Sequence, residues 1–600
     1  MEPSGLVLKR LVSPQAAVLP LLPLEESLPG STESELQNSI RWALSPLNPK
    51  NRVDNLASAV HLPPLIQWHM SGCSVDGSQF YAYPQFALGR PPLFIDVYIP
   101  DQCQHPPALR LLLKSGATVT CPQDQVGNLG ISRHVLHALA VWSSHIPGFE
   151  AQYQILPFGS RIVVENIASD VHDMRISMVP NHKLTHEFLS LTELQELWQS
   201  SPDKELEIIV DSISLSSLEL LDHTHETISI VTIPYLHDRT TRFVFKAVKP
   251  ARFAPINPTQ TYYELKLLLA MAPHPNITAR PLYVVTGTPK LGICGFILPY
   301  YPGGSLLEVL TLTSTTPLLD RIRWSHQITS ALLHIHSRTI ARYHADLKPD
   351  NVMLTAGGDA ALVDFEQRGG WVSWIAPEVC CIWYLVVIAR STAISSEITG
   401  RYTRALQRLV AVSSEDTSYR DVAWTYLSIR ERESAMVFAL GKVLWCIFEN
   451  QPTIYTDVGW GMTREAATWV DDEHSWRFPA FRRTPEAVRG WIERCTAGAD
   501  EWDIRRGRSV CFDLENGVFV PVGDAGGRAK GDESRTQQAA KAWWERRVTE
   551  AEAFLEARIR GEDYNGIQAA ARTRPALRDV LDMLEELEIE MSASSSIQKD

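Results

Sequence analysis

The sequence predicts an α+β chain in three parts: an unassigned N-terminal α+β region, a small mostly β lobe, and a larger mostly α lobe. Three observations carry that expectation. Between about residues 205 and 300, short alternating runs rich in β-branched and aromatic residues surround a single helical pattern. Beyond Pro302-Gly303-Gly304, helical periodicity takes over. And 600 residues exceed what one hydrophobic core organises, so about two to four folding units are expected.

The first 200 residues mix strand-like runs with Pro-rich breaks. Leu93–Ile99 reads as a strand, and Val75-Asp76-Gly77 as a hairpin turn ahead of the alternating Phe80-Tyr81-Ala82-Tyr83. His134–Ser144 and Leu191–Trp198 read as helices. No internal repeat and no chemical motif stands out here. In the small lobe, alternation marks strands over Ile213–Leu221, Thr227–Ile233 and Arg242–Val248. A helix follows, with Asn257 as N-cap, Pro258 at the first helical position and Pro273 as its stop. Leu282–Thr286 and Gly295–Leu298 supply two further strands.

In the large lobe, Trp324, Ile328, Ala331, Leu332 and Ile335 share one face of a helix over Asp320–Ser337, and the next recognisable helix begins near Ser434. Insertions are expected over about 380–430 and 500–570. The second carries an apolar helical stripe of Trp544, Val548, Ala551, Leu555 and Ile559. The expected division is thus 1–200, 205–585 (lobes 205–300 and 301–585) and a disordered tail over 586–600.

Composition narrows the function classes. A net charge of −13 argues against a nucleic-acid or anionic-membrane surface. Nine cysteines without a C-x-x-C pair argue against a disulfide framework or zinc site, and point to reduced thiols. The longest apolar run, Val379–Ala389, is about half of what a membrane-spanning helix needs, and Pro14, Pro20 and Pro23 break the N-terminal apolar stretch. The expected compartment is the cytosol, with the nucleus left open. The oligomeric state is not legible.

The chemistry is concentrated in His344-Ala345-Asp346-Leu347-Lys348-Pro349-Asp350-Asn351, followed thirteen residues on by Asp364-Phe365-Glu366, and then by Ala376-Pro377-Glu378. Val352–Leu354 and Ala361–Val363 flank a Gly357-Gly358-Asp359 turn, giving a hairpin with a carboxylate near each end. Such an arrangement suits a divalent ion held against a triphosphate.

These motifs resemble the protein kinase superfamily over about residues 205–585: H-R-D-x-x-x-x-N, then D-F-G, then A-P-E. The wording Leu347-Lys348-Pro349-Asp350-Asn351 is closest to the serine/threonine branch, and Asp364 to Trp374 resembles kinase-like proteins of filamentous fungi. The resemblance implies a bilobal fold, ATP and Mg²⁺ as cofactors, and a role for each matching residue. Asp346 accepts the substrate hydroxyl's proton, Lys348 steadies the transferring phosphoryl, and Asn351 and Asp364 ligate Mg²⁺. Lys246, ending an alternating strand, grips the α/β-phosphates and pairs with Glu264 on the next helix, eighteen residues on; Lys249 is the weaker alternative. Leu298, Tyr300 and Tyr301 form the adenine-binding hinge. His274-Pro275-Asn276-Ile277 matches the link to the fourth strand, and Arg574 is expected to pair with Glu378.

Five departures qualify the resemblance. No glycine occurs between Arg161 and Thr286, so the phosphate-covering loop is replaced, with Asp222-His223-Thr224-His225-Glu226 as the expected solvated turn. Ala345 replaces the arginine that reads a phosphorylated activation loop. The activation segment is short, with Ser373 its single hydroxyl residue. Trp371 stands in place of a threonine. Met436 occupies the position of the aspartate that normally holds the catalytic loop's backbone. Glu366 for glycine is a milder change. Two readings follow: a divergent serine/threonine protein kinase, and a pseudokinase acting as a nucleotide-binding or interaction scaffold. An aminoglycoside-type phosphotransferase fits the His-Pro-Asn-Ile and Ala-Pro-Glu phrases poorly.

Overall fold

The computed structural model describes residues 66–73, 79–99, 130–168, 171–182, 184–199, 210–225, 227–248, 259–287, 292–313, 315–339, 342–367, 374–380, 427–454, 478–499 and 567–597, with short pieces between 424 and 560. The chain divides into two compact units. The first runs to Thr261 and adds Pro281–Tyr300; the second holds Tyr262–Arg280 and the bulk of the chain from Tyr301 onward.

The first unit contains two sheets. One has the order β1 (Trp68–Cys73), β2 (Gln79–Pro84), β3 (Asp96–Tyr98), β4 (Arg161–Val164), β5 (Ile176–Val179), antiparallel except for β3 beside β4. Helices α1 (Gly130–Ser144) and α2 (Phe149–Gln154) bring Val135, Leu139, Phe149 and Tyr153 onto Trp68, Phe80, Val97 and Ile162, and this is the core. The expected strand Leu93–Ile99 is shorter, because Phe94 takes a left-handed backbone (φ 49°) that cannot continue a strand. Helix α3 (Leu191–Gln199) follows, burying Leu194 and Trp198.

The second sheet combines β6 (Asp211–Ser214), β7 (Glu219–His225), β8 (Ile228–Thr232), β9 (Phe243–Ala247), β10 (Tyr283–Gly287) and β11 (Gly292–Pro299) in the order β6-β10-β11-β9-β8-β7. The single strand expected over Ile213–Leu221 is two strands. A 3-10 turn at Leu215–Ser217, capped by the Ser214 side chain, sends β6 to one edge and β7 to the other. Gly295 is required in β11, since a Cβ there would lie 2.3 Å from the Lys246 carbonyl. The two sheets are joined at β7. Gly89 and Arg90 exchange backbone hydrogen bonds with Leu220 (2.8 Å each), and the Tyr83 hydroxyl donates to Asp222 (2.7 Å).

The second unit begins within α4 (Thr259–Ala270); the expected cap at Asn257 and Pro258 lies outside the described residues. Gly304, at φ +75°, turns the chain into α5 (Leu306–Leu312), where Ser305 and Glu308 form a reciprocal capping box. Helix α6 (Leu318–Arg338) buries all five residues of the expected apolar face. A hairpin of β12 (Val352–Leu354) and β13 (Ala360–Leu362) follows. Helix α7 (Ile429–Glu449) starts five residues before Ser434, because Ser428 and Glu431 cap it, and it is buried along most of its length. Helices α8 (Glu486–Cys495), α9 (Ile567–Thr573) and α10 (Leu577–Ile597) complete the unit. No disordered tail begins at 586: Leu577, Val580, Leu581 and Leu584 anchor α10, and the helix propagates past them to Ile597. The stripe around Trp544 and the residues Trp371, Ser373 and Lys249 lie outside the described residues. Among the described residues no helix is long and apolar enough to cross a membrane. Cys294, Cys380, Cys446 and Cys495 are buried and none of them is in a disulfide.

Candidate active site

The segment Tyr343–Asn351 and the hairpin behind it bring four of the expected residues together. Asp346 sits in the turn before β12. One carboxylate oxygen, Oδ2, receives the Lys348 ammonium at 2.9 Å and the Asn351 Nδ2 at 3.1 Å. The other, Oδ1, has no hydrogen-bond partner among the described residues. Burial disfavours the Lys348 charge, but the carboxylates of Asp346, Asp350 and Asp364 outweigh it and hold its pKa above the ordinary lysine value. Asn351 Nδ2 also donates to the Asp346 carbonyl (2.7 Å), so the amide oxygen is turned away from these bonds.

Asp364 has a left-handed backbone (φ 64°), and the residue after it is anchored on two sides. Phe365 is buried, its ring edge-on to His344 at 5.0 Å, and its backbone N–H donates to Glu264 Oε1 at 3.0 Å. The glutamate of α4 is therefore tied to the Asp364-Phe365-Glu366 turn. Glu264, Asp364 and Glu366 offer oxygens all within 4.8 Å of one another. An all-oxygen donor set of this kind fits a hard divalent cation such as Mg²⁺ and suits thiophilic metals poorly. His274-Pro275-Asn276-Ile277 braces the hairpin. Asn276 Nδ2 donates to Ala360 O (2.8 Å), Leu362 N donates to Asn276 O (2.9 Å), and Thr278 N donates to Leu362 O (2.8 Å).

The loop around Asp346 is held by Met436, whose position the sequence had marked, and by Gln367, which it had not. Met436, on α7, accepts the His344 N–H through its Sδ at 3.3 Å, a weak bond in the place of the expected carboxylate. Gln367 does the rest: Oε1 accepts from Ala345 N (2.8 Å) while Nε2 donates to Tyr343 O (2.6 Å). Gln367 is buried at φ 55°, three residues past Asp364, and no motif marks it. Tyr343 stacks on Trp424 at 4.9 Å, and the Arg432 guanidinium lies 5.2 Å from the Tyr343 ring centre. His344 is neutral: burial lowers its pKa, and the Val363 carbonyl 3.0 Å from Nε2 opposes that only in part.

The expected pair of Glu378 and Arg574 is present and bidentate, at 2.6 and 3.2 Å, with both side chains buried. Arg574 also donates to Ala497 O and Ser434 O.

In the first unit, Lys246 is buried on β9, paired across the sheet with Ile228 and Phe296, and Leu298 is buried on β11. Tyr300 closes that unit, with the Arg242 guanidinium 5.9 Å from its ring centre, and Tyr301 opens the second. The expected solvated turn over 222–226 is corrected. Strand β7 continues to His225, which pairs with Ile228 of β8; Glu226 lies outside the described residues. Asp222 accepts from Tyr83 and does not face a phosphate loop as an unengaged charge. His223 is buried among Tyr81, Phe94 and Ser229, because the N-terminal sheet covers β7.

A family model for the protein kinase domain matches residues 227–373. The chain is 37% identical over 70 residues to CBL-interacting protein kinase 30 of Oryza sativa subsp. japonica (12% of this chain, 14% of that protein). It is 29% identical over 126 residues to CBL-interacting serine/threonine-protein kinase 24 of Arabidopsis thaliana (19% and 27%), and 32% over 126 residues to mitogen-activated protein kinase kinase kinase 7 of Bos taurus (18% and 21%). The matched stretch spans at most 27% of the length of these relatives. The stretch that the family model matches holds the Asp346 loop, the β12–β13 hairpin and Asp364, so it is this part of the chain that is similar to a protein kinase domain.

Proposed function

We propose that the chain is a divergent serine/threonine protein kinase that transfers the γ-phosphoryl group of ATP to a protein hydroxyl with Mg²⁺. The observation that carries this reading is the Asp346 carboxylate, anchored through Oδ2, with a buried Oδ1 that has no hydrogen-bond partner among the described residues. Oδ1 would take the proton of the attacking hydroxyl as its oxygen bonds to the γ-phosphorus and the bond to the β-phosphate oxygen breaks. Lys348 would neutralise charge on the transferring group. Asn351 and Asp364 would hold Mg²⁺, which screens the phosphate oxygens. Lys246 would hold the α/β-phosphates, and Leu298 and Tyr300 would border the adenine.

A second reading, a pseudokinase scaffold, is favoured by one specific observation. The sequence linking β7 to β8 has no glycine, and β7 is pinned to the N-terminal sheet. The two readings are separated by paired measurements on the full chain. ATP with Mg²⁺ should raise Tm, and Asp364→Ala should abolish the rise; no rise in wild type at millimolar nucleotide defeats both nucleotide readings. Transfer to a generic protein substrate should vanish in Asp346→Asn, and equal rates leave the scaffold reading standing.

A further inference from the structure

The loop from α4 to β10 carries a histidine whose hydrogen bonds fit one charge state only. Pro273 and Pro275 flank His274, so the chain around it is stiff and two neighbouring backbone N–H groups are missing. The Asn276 N–H donates to His274 Nδ1 at 3.2 Å. A backbone N–H can only donate, so Nδ1 carries no proton. The neutral ring therefore holds its proton on Nε2, 3.4 Å from the Ser330 hydroxyl on α6. One turn further along α6, the His334 ring lies against His274, with 4.8 Å between ring centres. His334 Nε2 is 3.0 Å from the Ala272 carbonyl, which can only accept.

Protonation of His274 undoes this arrangement in two ways. A proton on Nδ1 faces the Asn276 N–H, donor against donor, and the new cation sits beside His334. Among the described residues nothing packed around the ring compensates. From α6 it meets Ser330 and His334, and Arg280, in its own loop, turns to the Met271 carbonyl (3.2 Å). The neighbouring β13 is Ala360-Ala361-Leu362, without a titratable group. Burial, and after it the charge of His334, hold the His274 pKa below its ordinary value of 6.5. The ring is only half-buried, so water can deliver the proton.

What the Nδ1 bond holds is the hairpin. Asn276, whose N–H closes on His274, donates through Nδ2 to Ala360 O (2.8 Å) and accepts from Leu362 N (2.9 Å). Thr278 N donates to Leu362 O (2.8 Å). Asp364 follows two residues after Leu362.

We infer that His274 is an acid-sensitive latch: neutral, it fixes the 274–278 loop along β13, and protonated, it releases that loop and loosens the strand that leads to Asp364. The latch belongs to the fold and does not depend on whether the chain transfers phosphate.

The test is hydrogen exchange read by mass spectrometry on the full chain between about pH 7.5 and about pH 5.5, corrected for the intrinsic pH dependence of exchange. The latched form has the lowered pKa, so its stability is whole above the ordinary value and is lost as pH falls below it. Protection of 276–278 and 360–362 should therefore drop below about pH 6.5, by up to about tenfold per pH unit, while α7 in the same unit keeps its protection. His274→Asn keeps a side-chain acceptor two residues before the Asn276 N–H and cannot titrate, so its protection should stay level across the range. His334→Gln removes the neighbouring charge and should move the wild-type midpoint upward. Protection in wild type that does not change with pH overturns the latch. So does an equal loss in α7, or a fall in His274→Asn that matches wild type. If His274→Asn does not fold, the His334→Gln midpoint decides, and one that stays or moves downward overturns the inference.

Discussion

Replacing Gln367 by leucine tests whether one amide side chain does the work usually given to a helix carboxylate. The volume is nearly kept, but two buried hydrogen bonds go, from Ala345 N at 2.8 Å and to Tyr343 O at 2.6 Å. Each buried group left without a partner costs about 1–3 kcal/mol, so the gross loss is about 2–6 kcal/mol. Partial relaxation should bring the measured value to about 2–4 kcal/mol. Urea unfolding followed by tryptophan fluorescence would read it, since Trp424 stacks on Tyr343 in the same cluster. Because Ala345 immediately precedes Asp346, the loop's displacement should also lower phosphoryl transfer, by about 100-fold for a shift near 1 Å. The second half of the test is rescue. Met436 Sδ faces the His344 N–H at 3.3 Å, and a carboxylate there could accept both that N–H and the next one. Met436→Asp should therefore recover much of the turnover lost in Gln367→Leu. A loss below about 0.5 kcal/mol, or a double variant no better than the single one, refutes the bracing role.

Three further outcomes follow from the same geometry. Arg574→Ala leaves Glu378 buried without its counter-ion and should cost about 3–5 kcal/mol by chemical denaturation; a loss under about 1 kcal/mol would deny the pair its structural role. His344 is held below its ordinary pKa of 6.5 mainly by burial, and His274 by burial and by the neighbouring His334, so both take up a proton on unfolding. Their contribution is whole above about pH 6.5 and is lost as pH falls toward the folded-state values, by up to about 1.4 kcal/mol per pH unit for the buried His344 and by less for the half-exposed His274, whose charge water screens. The slope of unfolding free energy against pH should shrink in His344→Gln, and an unchanged slope would contradict this. Tyr83→Phe removes the 2.7 Å bond to Asp222 and should destabilise the first unit by about 1–2 kcal/mol in thermal unfolding; an unchanged transition would mean that the bond contributes nothing to holding β7.

The relation between this chain and an ordinary kinase turns on β7. With Asp222 bonded to Tyr83 and Leu220 in backbone register with Gly89 and Arg90, the strand before the β7–β8 turn is part of a two-sheet unit. A glycine-rich flap gains from mobility, whereas a strand pinned by a neighbouring sheet does not need it. The absence of glycine from Arg161 to Thr286 is therefore consistent with how β7 is packed.

The sequence alone singled out the candidate site residues and much of the scaffold. Asp346, Lys348, Asn351 and Asp364 were legible because a loop–hairpin–turn of fixed spacing encodes its own geometry locally. The buried face of α6 and the approximate strands were legible because periodicity of 3.6 or 2 is written in neighbouring residues. Arg574 and Glu378 were paired across 196 positions only through the family resemblance. Tertiary structure alone decided the rest. It split Ile213–Leu221 between opposite sheet edges, buried His223, and gave Gln367 to the catalytic loop. In each case the deciding partner lies on another element, and no local pattern specifies which distant group will satisfy a buried N–H or carbonyl. That choice is made only when the elements pack.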